Sequence, residues 1–241
     1  MKILQTLLDW LYPPKCISCR ILLPLQNPAR FICAYCVPLF DPIPSPLCPK
    51  CGTSVQSETR ACSSCLGKAF HFSKNTAAFP YDDLVRDLMH EIKFRKRKRV
   101  AQGIGELWAN TIRKDCFLKD AILVPLPMHR SKQRERGFNQ AEILALELAK
   151  KHSVPAERVL IRTADTPPQA GLHPRLRAEN VRDAFAIAPG HSPEGKNYIL
   201  IDDIYTTGAS LNECAGVLKK SGAKSVSSMT FAITIKNINK G

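Results

Sequence analysis

Aromatic residues are scarce in this chain, with Phe, Trp and Tyr making up 7% of its 241 residues. Platforms for base stacking are therefore few, although Phe94 lies inside a strongly basic segment. Long apolar runs are missing as well. The longest are short stretches such as Ala121 to Leu126, far below the roughly 18 residues of a membrane span, so no membrane span is expected. The opening MKILQTLLDWLYPPK imitates a leader, but Asp9 interrupts its apolar stretch and no small-residue cleavage site precedes Pro13-Pro14. Leu4, Leu7, Leu8 and Leu11 share one face, which predicts a short amphipathic helix packed on its own domain. Acidic residues are also in short supply, 21 against 35 Lys and Arg. With 44% hydrophobic and 23% charged residues, the composition excludes a disordered chain and suits one to two globular domains.

Cysteine is nearly absent beyond residue 65, where only Cys116 and Cys214 stand alone as expected core or boundary residues. The other eight of the ten form four C-x-x-C pairs: Cys16/Cys19, Cys33/Cys36, Cys48/Cys51 and Cys62/Cys65. Two thiolates three positions apart at a tight turn can face one tetrahedral centre, and two such pairs complete an S4 shell around Zn²⁺. Four pairs close two structural sites with no position open for water. Sequential pairing is expected over a cross-braced alternation. A disulfide framework would need an oxidising compartment, and four such pairs in a Pro-rich segment cannot all be redox centres. That segment holds little apolar material, so the metal would supply much of its stability.

The formal net charge is +14, and eight thiolates against two Zn²⁺ subtract four from it. Residues beyond 72 are themselves basic, and their densest run is KFRKRKR, with Lys93, Arg95, Lys96, Arg97, Lys98 and Arg99. Such a run suits a phosphate-bearing partner, nucleic acid above all, as well as it suits a solvated face.

After the last cysteine pair, short apolar strands alternate with amphipathic helices, which predicts a parallel α/β sheet. Strands are expected at Thr76 to Tyr81, Ala121 to Leu126, Arg158 to Arg162, Tyr198 to Asp202 and Val226 to Ile235. Helices are expected near Asp82 to Lys93, Val100 to Lys114, Phe138 to Lys151 and Ala209 to Lys220. The stretch from Asp165 to Val181 has no clear period and reads as a functional loop carrying Arg175 and Arg177.

The most informative segment is YILIDDIYTTGAS, Tyr198 to Ser210. An apolar strand leads into Asp202-Asp203, and a Thr/Gly loop then opens a helix. Ligands sit at the carboxyl ends of strands in such sheets, and a helix N-terminus offers unpaired N–H groups and a positive dipole end. Thr206, Thr207 and Ser210 add hydroxyls, while Gly208 lets the backbone approach an anion. Two acids beside a phosphate socket want hydroxyl donors or a hydrated cation, and a ribose 5-phosphate meets both demands. Following Ala121 to Leu126, the cations Arg130, Lys132, Arg134 and Arg136 precede Gly137 and a helix, a second candidate anion site suited to pyrophosphate. Of the dispersed histidines, only His129 stands where it would meet a ligand, and a surface role is expected for it.

Four apolar residues, two acids and T-T-G-x-S resemble the 5-phosphoribosyl-1-pyrophosphate (PRPP) motif of type I phosphoribosyltransferases. By that resemblance Asp202 and Asp203 hold the ribose hydroxyls and the loop Thr206, Thr207, Gly208, Ala209 and Ser210 holds the 5′-phosphate. Together with Arg136 to Gln140 (R-G-F-N-Q), the cysteine pairs, and Gln169, Leu172, Arg177, Asn180 and Phe185, the chain resembles the ComF family over nearly its whole length. The resemblance implies a type I phosphoribosyltransferase-like parallel sheet flanked by helices (residues 73–241), preceded by a small Cys-rich double zinc module (residues 1–72). It implies a cytoplasmic competence factor that handles imported single-stranded DNA in natural transformation, with Mg²⁺ accompanying PRPP. DNA-uptake or recombination proteins are the candidate protein partners. Arg134, Arg136, Gly137 and Arg177 are the pyrophosphate and loop candidates, and no catalytic residue is assigned. Two other readings stay open: an active phosphoribosyltransferase acting on an unidentified base or amine, and a zinc-dependent protein-interaction module.

Overall fold

A computed structural model describes residues 13–24, 31–57, 60–112, 120–164 and 181–235. The expected N-terminal helix, Cys116, most of the 165–181 loop, and with it Arg177, lie outside the described residues.

The four-stranded sheet has the order β1-β6-β5-β2, built from β1 (Asn75–Pro80), β2 (Ala121–Pro125), β5 (Asn197–Tyr205) and β6 (Ser225–Ile233). All its pairings are parallel. The central strand β5 buries residues on both faces, as the near-continuous apolar run Tyr198 to Ile201 requires in a sheet covered on both sides. Helices α1 (Asp83–Lys93), α2 (Lys98–Thr111) and α4 (Gln140–His152) contribute to the core on one face, and α5 (Ala209–Lys220) to the core on the other. Asp82 starts α1 by accepting from Val85 N–H at 2.9 Å, and Asn139 starts α4 by accepting from Ala141 N–H at 3.1 Å. A short helix not expected from the sequence, α3 (Arg130–Arg136), precedes α4 and ends at Gly137, whose φ of 86° is the left-handed closure that glycine adopts freely.

One expected sheet member is corrected. Of the segment Arg158 to Arg162, only β3 (Leu160–Arg162) is a strand, and it pairs antiparallel with β4 (Phe185–Ile187) in a separate two-stranded ribbon. The cause is its two-faced character: Leu160 is buried while Ile161 is exposed, and the Arg158 guanidinium is drawn to Glu142 on α4. A parallel strand inside the sheet would bury both faces.

The cysteine-rich segment does not stand apart. Its first half sends Ile17, Leu23, Phe31, Ile32 and Phe40 into the core beneath α1, α2 and α4. Its second half sends Ile43 and Phe72 into the core beneath α5. Phe40 meets Phe79 of β1 edge-on at 5.4 Å. Gly103 on α2 admits the Phe31 ring, since a Cβ there would lie 1.8 Å from Phe31 Cδ1. Among the described residues no helix is long and apolar enough to cross a membrane.

Candidate functional site

The eight cysteines gather in sequential order. Cys16, Cys19, Cys33 and Cys36 form one group, and Cys48, Cys51, Cys62 and Cys65 the other, with sulfurs within 4.8 Å of one another in each. Sulfur separations of 3.6 Å for Cys19–Cys33 and Cys51–Cys62 match the roughly 3.8 Å edge of a ZnS4 tetrahedron with bonds of about 2.3 Å. Each leading pair sits in a turn closed by an antiparallel bridge, Lys15 with Leu22 and Leu47 with Ser54. Burial raises the Cys16 thiol, yet the backbone N–H groups of Cys19, Cys33 and Ser18 bring it down to about 7. The same opposition, with N–H groups of Cys51, Cys62 and Lys50, brings Cys48 to about 7. Closed four-sulfur sets with amides aimed at sulfur fit structural Zn²⁺.

At the carboxyl end of the sheet, the chain leaves β2 outward, through α3 and α4, to a lone parallel bridge of Ala156 with Leu123. It leaves β5 in the other direction, through α5 to β6. The connections therefore diverge between β2 and β5, the topological position at which such sheets bind ligands. Asp203 stands near the carboxyl end of β5. Its Oδ2 receives Lys93 Nζ from the end of α1 at 2.7 Å and Gln140 Nε2 from the start of α4 at 3.0 Å. Its Oδ1 accepts from Ile204 N–H at 2.8 Å. Arg136 Nη1 donates to Gln140 Oε1 at 2.7 Å, completing a chain of four side chains from three helices and one strand. Burial pulls the Asp203 carboxyl upward, but Lys93, Gln140 and the Ile204 amide outweigh it and hold the group below its ordinary value. Asp202 goes the other way, raised well above the usual range by burial and then by the Asp203 charge, although its Oδ1 accepts the Asp203 N–H at 2.8 Å. The two acids are chemically unequal.

The expected strand end at Asp202 is also revised. Pairing with β6 continues through Tyr205 opposite Ile233, so the acids lie within β5 and the loop begins at Thr206. Gly208, with φ of 74°, is the N-cap of α5 and brings no capping side chain, while Thr207 Oγ1 meets Ala209 N–H at 3.4 Å. A Cβ on Gly208 would lie 2.4 Å from Tyr205 Oη, so the loop closes tightly over that ring. Burial, followed by the nearby Cys65, Cys51, Cys62 and Cys48, raises the Tyr205 phenol. The loop and the segment around the second cysteine group line a cavity of about 600 Å³.

Arg134 and Gly137 border a different cavity, of about 500 Å³, with Arg130 and Gln133. These cations precede Gly137 and helix α4, as expected, but they form a helix of their own, α3, and α4 is capped by Asn139. His129 caps α3, its Nδ1 accepting from Ser131 N–H at 3.3 Å. The basic run is divided. Lys93 faces Asp203, and Arg95 and Arg97 reach the buried Glu91 at 2.9 and 2.7 Å. Arg95 to Arg99 are all exposed, and Arg97, Lys98 and Arg99 border a cavity of about 350 Å³ shared with Lys15 and Ile17 beside the first cysteine group. Sequence reasoning missed Lys93 as a member of the acid site, because the run hid it. It also missed Gln140, which the R-G-F-N-Q block contained, and Tyr205.

Parallel sheet, diverging connections and a glycine-closed loop beside two acids define a phosphoribosyltransferase-type domain carrying a double zinc module. A family model for the phosphoribosyl transferase domain matches residues 95–239, and one for the double zinc ribbon domain matches residues 7–66. Competence protein ComFC of Bacillus subtilis is 32% identical over 215 residues, 86% of each chain. DNA utilization protein YhgH of Escherichia coli strain K12 is 29% identical over 220 residues, 89% of this chain and 94% of that one. The chain belongs to the ComF family. Among solved structures, adenine phosphoribosyltransferase of Trypanosoma brucei superposes with a TM-score of 0.34 at 12% identity, covering 65% of this chain and 72% of that chain.

Proposed function

We propose that this chain is a competence and DNA-utilisation factor that handles single-stranded DNA in the cytoplasm and reads PRPP at the carboxyl ends of β2 and β5. The observation that carries the reading is the 2.7 Å bond between Lys93 and Asp203. Lys93 opens the six-cation run that suits DNA phosphates, and Asp203 is the acid that suits a ribose hydroxyl, so the two candidate sites share one ion pair. A ribose arriving at Asp203 competes with the Lys93 ammonium, and any DNA held by the run senses the exchange. The names borne by the relatives support the DNA role. In this reading Asp202 and Asp203 take the ribose hydroxyls, Thr206 to Ser210 the 5′-phosphate, and Arg134, Arg136, Gly137 and Arg177 the Mg²⁺-bound pyrophosphate. Cys16, Cys19, Cys33 and Cys36 would hold one structural Zn²⁺ and Cys48, Cys51, Cys62 and Cys65 a second, fixing the fold of each ribbon.

The test is fluorescence anisotropy of a labelled single-stranded oligonucleotide against zinc-replete protein over a salt series, with and without PRPP and Mg²⁺. The expected result is binding that falls steeply with salt and shifts with PRPP, because linkage between two sites is reciprocal. No binding at low salt removes the DNA role and leaves phosphoribosyl transfer, for which pyrophosphate release with a nucleobase panel is the assay.

A further inference from the structure

We infer that the second zinc ribbon is a wall of the phosphate pocket, with Lys68 supplying the cation that the loop Thr206 to Ser210 lacks. This rests on reading that loop as the cradle of a ribose 5-phosphate. The charge balance of the loop leads to it. A phosphate monoester carries about −1.5 to −2 at neutral pH, whereas a helix N-terminus offers roughly half a positive charge. Thr206, Thr207, Gly208, Ala209 and Ser210 are all uncharged, and the acids Asp202 and Asp203 stand a few residues away. The loop by itself leaves most of that charge uncompensated.

The cavity of about 600 Å³ in front of the loop falls within the range of small-ligand sites, and its opposite side is the ribbon. Among the described residues that line it, Lys68 alone is a cation, set beside Cys51, Cys62 and Cys65 of a four-thiolate group that carries −2 when it holds Zn²⁺, and Ser63 and Ser64 add hydroxyl donors from the turn between Cys62 and Cys65. Lys68 is placed by the metal site. Its N–H donates to Cys65 O at 3.1 Å, directly after Gly67 turns the chain with φ of 72°.

The wall is also fixed to the cradle. Where the ribbon leaves, His71 N–H donates to Asn212 Oδ1 on the first turn of α5 at 2.7 Å. Tyr205 packs under Gly208 on the loop side and lines the same cavity as Cys51, Cys62 and Cys65. Ribbon, strand end and helix start thus form one frame, and the exposed Lys68 ammonium can reach an anion without distorting it.

Calorimetric titration of ribose 5-phosphate into the zinc-replete full chain tests this, with Lys68→Ala, Lys68→Arg and the remote exposed control Lys224→Ala. Wild type binds, Lys68→Ala binds roughly ten-fold more weakly, and Lys68→Arg and Lys224→Ala stay within about two-fold of wild type. Zinc content equal to wild type in the variants shows that the ribbon is intact. Wild-type affinity in Lys68→Ala overturns the inference while leaving the loop reading standing. Equal weakening in Lys68→Ala and Lys224→Ala overturns it too, since net charge then accounts for the loss. No binding by wild type sinks the loop reading itself and the wall with it.

Discussion

Replacing Lys93 with methionine removes the ammonium 2.7 Å from Asp203 Oδ2 while keeping most of the aliphatic stem. The two side chains are unequally exposed, 27% for Lys93 and 8% for Asp203, and that inequality sets the result. Breaking a fully buried pair from one side costs about 3–5 kcal/mol. Water already reaches Lys93, so we expect about 2–3 kcal/mol for Lys93→Met, which strands the buried Asp203 charge on Gln140 and the Ile204 amide. Asp203→Asn strands the more exposed partner, whose ammonium can turn to water, and costs about 1 kcal/mol. The double variant carries no orphan charge and should cost about the same as Asp203→Asn alone, a coupling of about 2–3 kcal/mol. Thermal unfolding of zinc-replete protein at pH 7 reads this as a Tm lower by about 5–10 °C in Lys93→Met and by less than about 4 °C in the other two. Additive losses, or an Asp203→Asn variant weaker than Lys93→Met, would refute the reasoning.

Other consequences are equally open to measurement. Asp202 is raised by burial and by the Asp203 charge, so its ionised form is disfavoured in the fold. The penalty grows as pH rises through the ordinary carboxylate range near about 4 and levels off above the raised value. Asp202→Asn should therefore stabilise the protein, and stabilise it more at pH 8 than at pH 5; an increment independent of pH across that range would contradict this. Gly103→Ala places a Cβ 1.8 Å from Phe31 Cδ1, so the urea midpoint should fall by the equivalent of about 2–3 kcal/mol with zinc content unchanged. Chelating the zinc should lower the melting temperature of the α/β body as well as unfold the ribbons, because Phe31, Ile32, Phe40 and Phe72 lie in its two cores. Calorimetry showing an unshifted α/β transition after chelation would count against that coupling.

Much of the fold was legible in local pattern. Alternating apolar strands and amphipathic helices located four of the sheet strands and four helices within a few residues, since periodicity and capping residues act over one or two turns of chain. The segment Arg158 to Arg162 misled for the same reason: a short apolar run records strand propensity, not which partner pairs with it or in which direction. Helix α3 escaped because seven polar residues, Arg130 to Arg136, carry no apolar period, and their cations read instead as a charge cluster.

What the sequence determined by itself was chemistry that depends on spacing along the chain. C-x-x-C places two sulfurs on one turn, and a strand followed by Asp-Asp and T-T-G-A-S places two acids and a glycine-closed loop at a helix start. Tertiary structure decided what those local pieces meet. Sequential pairing of the cysteines, Lys93 and Gln140 on Asp203, Tyr205 in one cavity with Cys51, Cys62 and Cys65, and Lys68 across the cavity all join residues far apart in sequence. The physical reason is that buried charge and enclosed volume depend on which surfaces exclude water together, and that is settled when helices and ribbons close on both faces of the sheet.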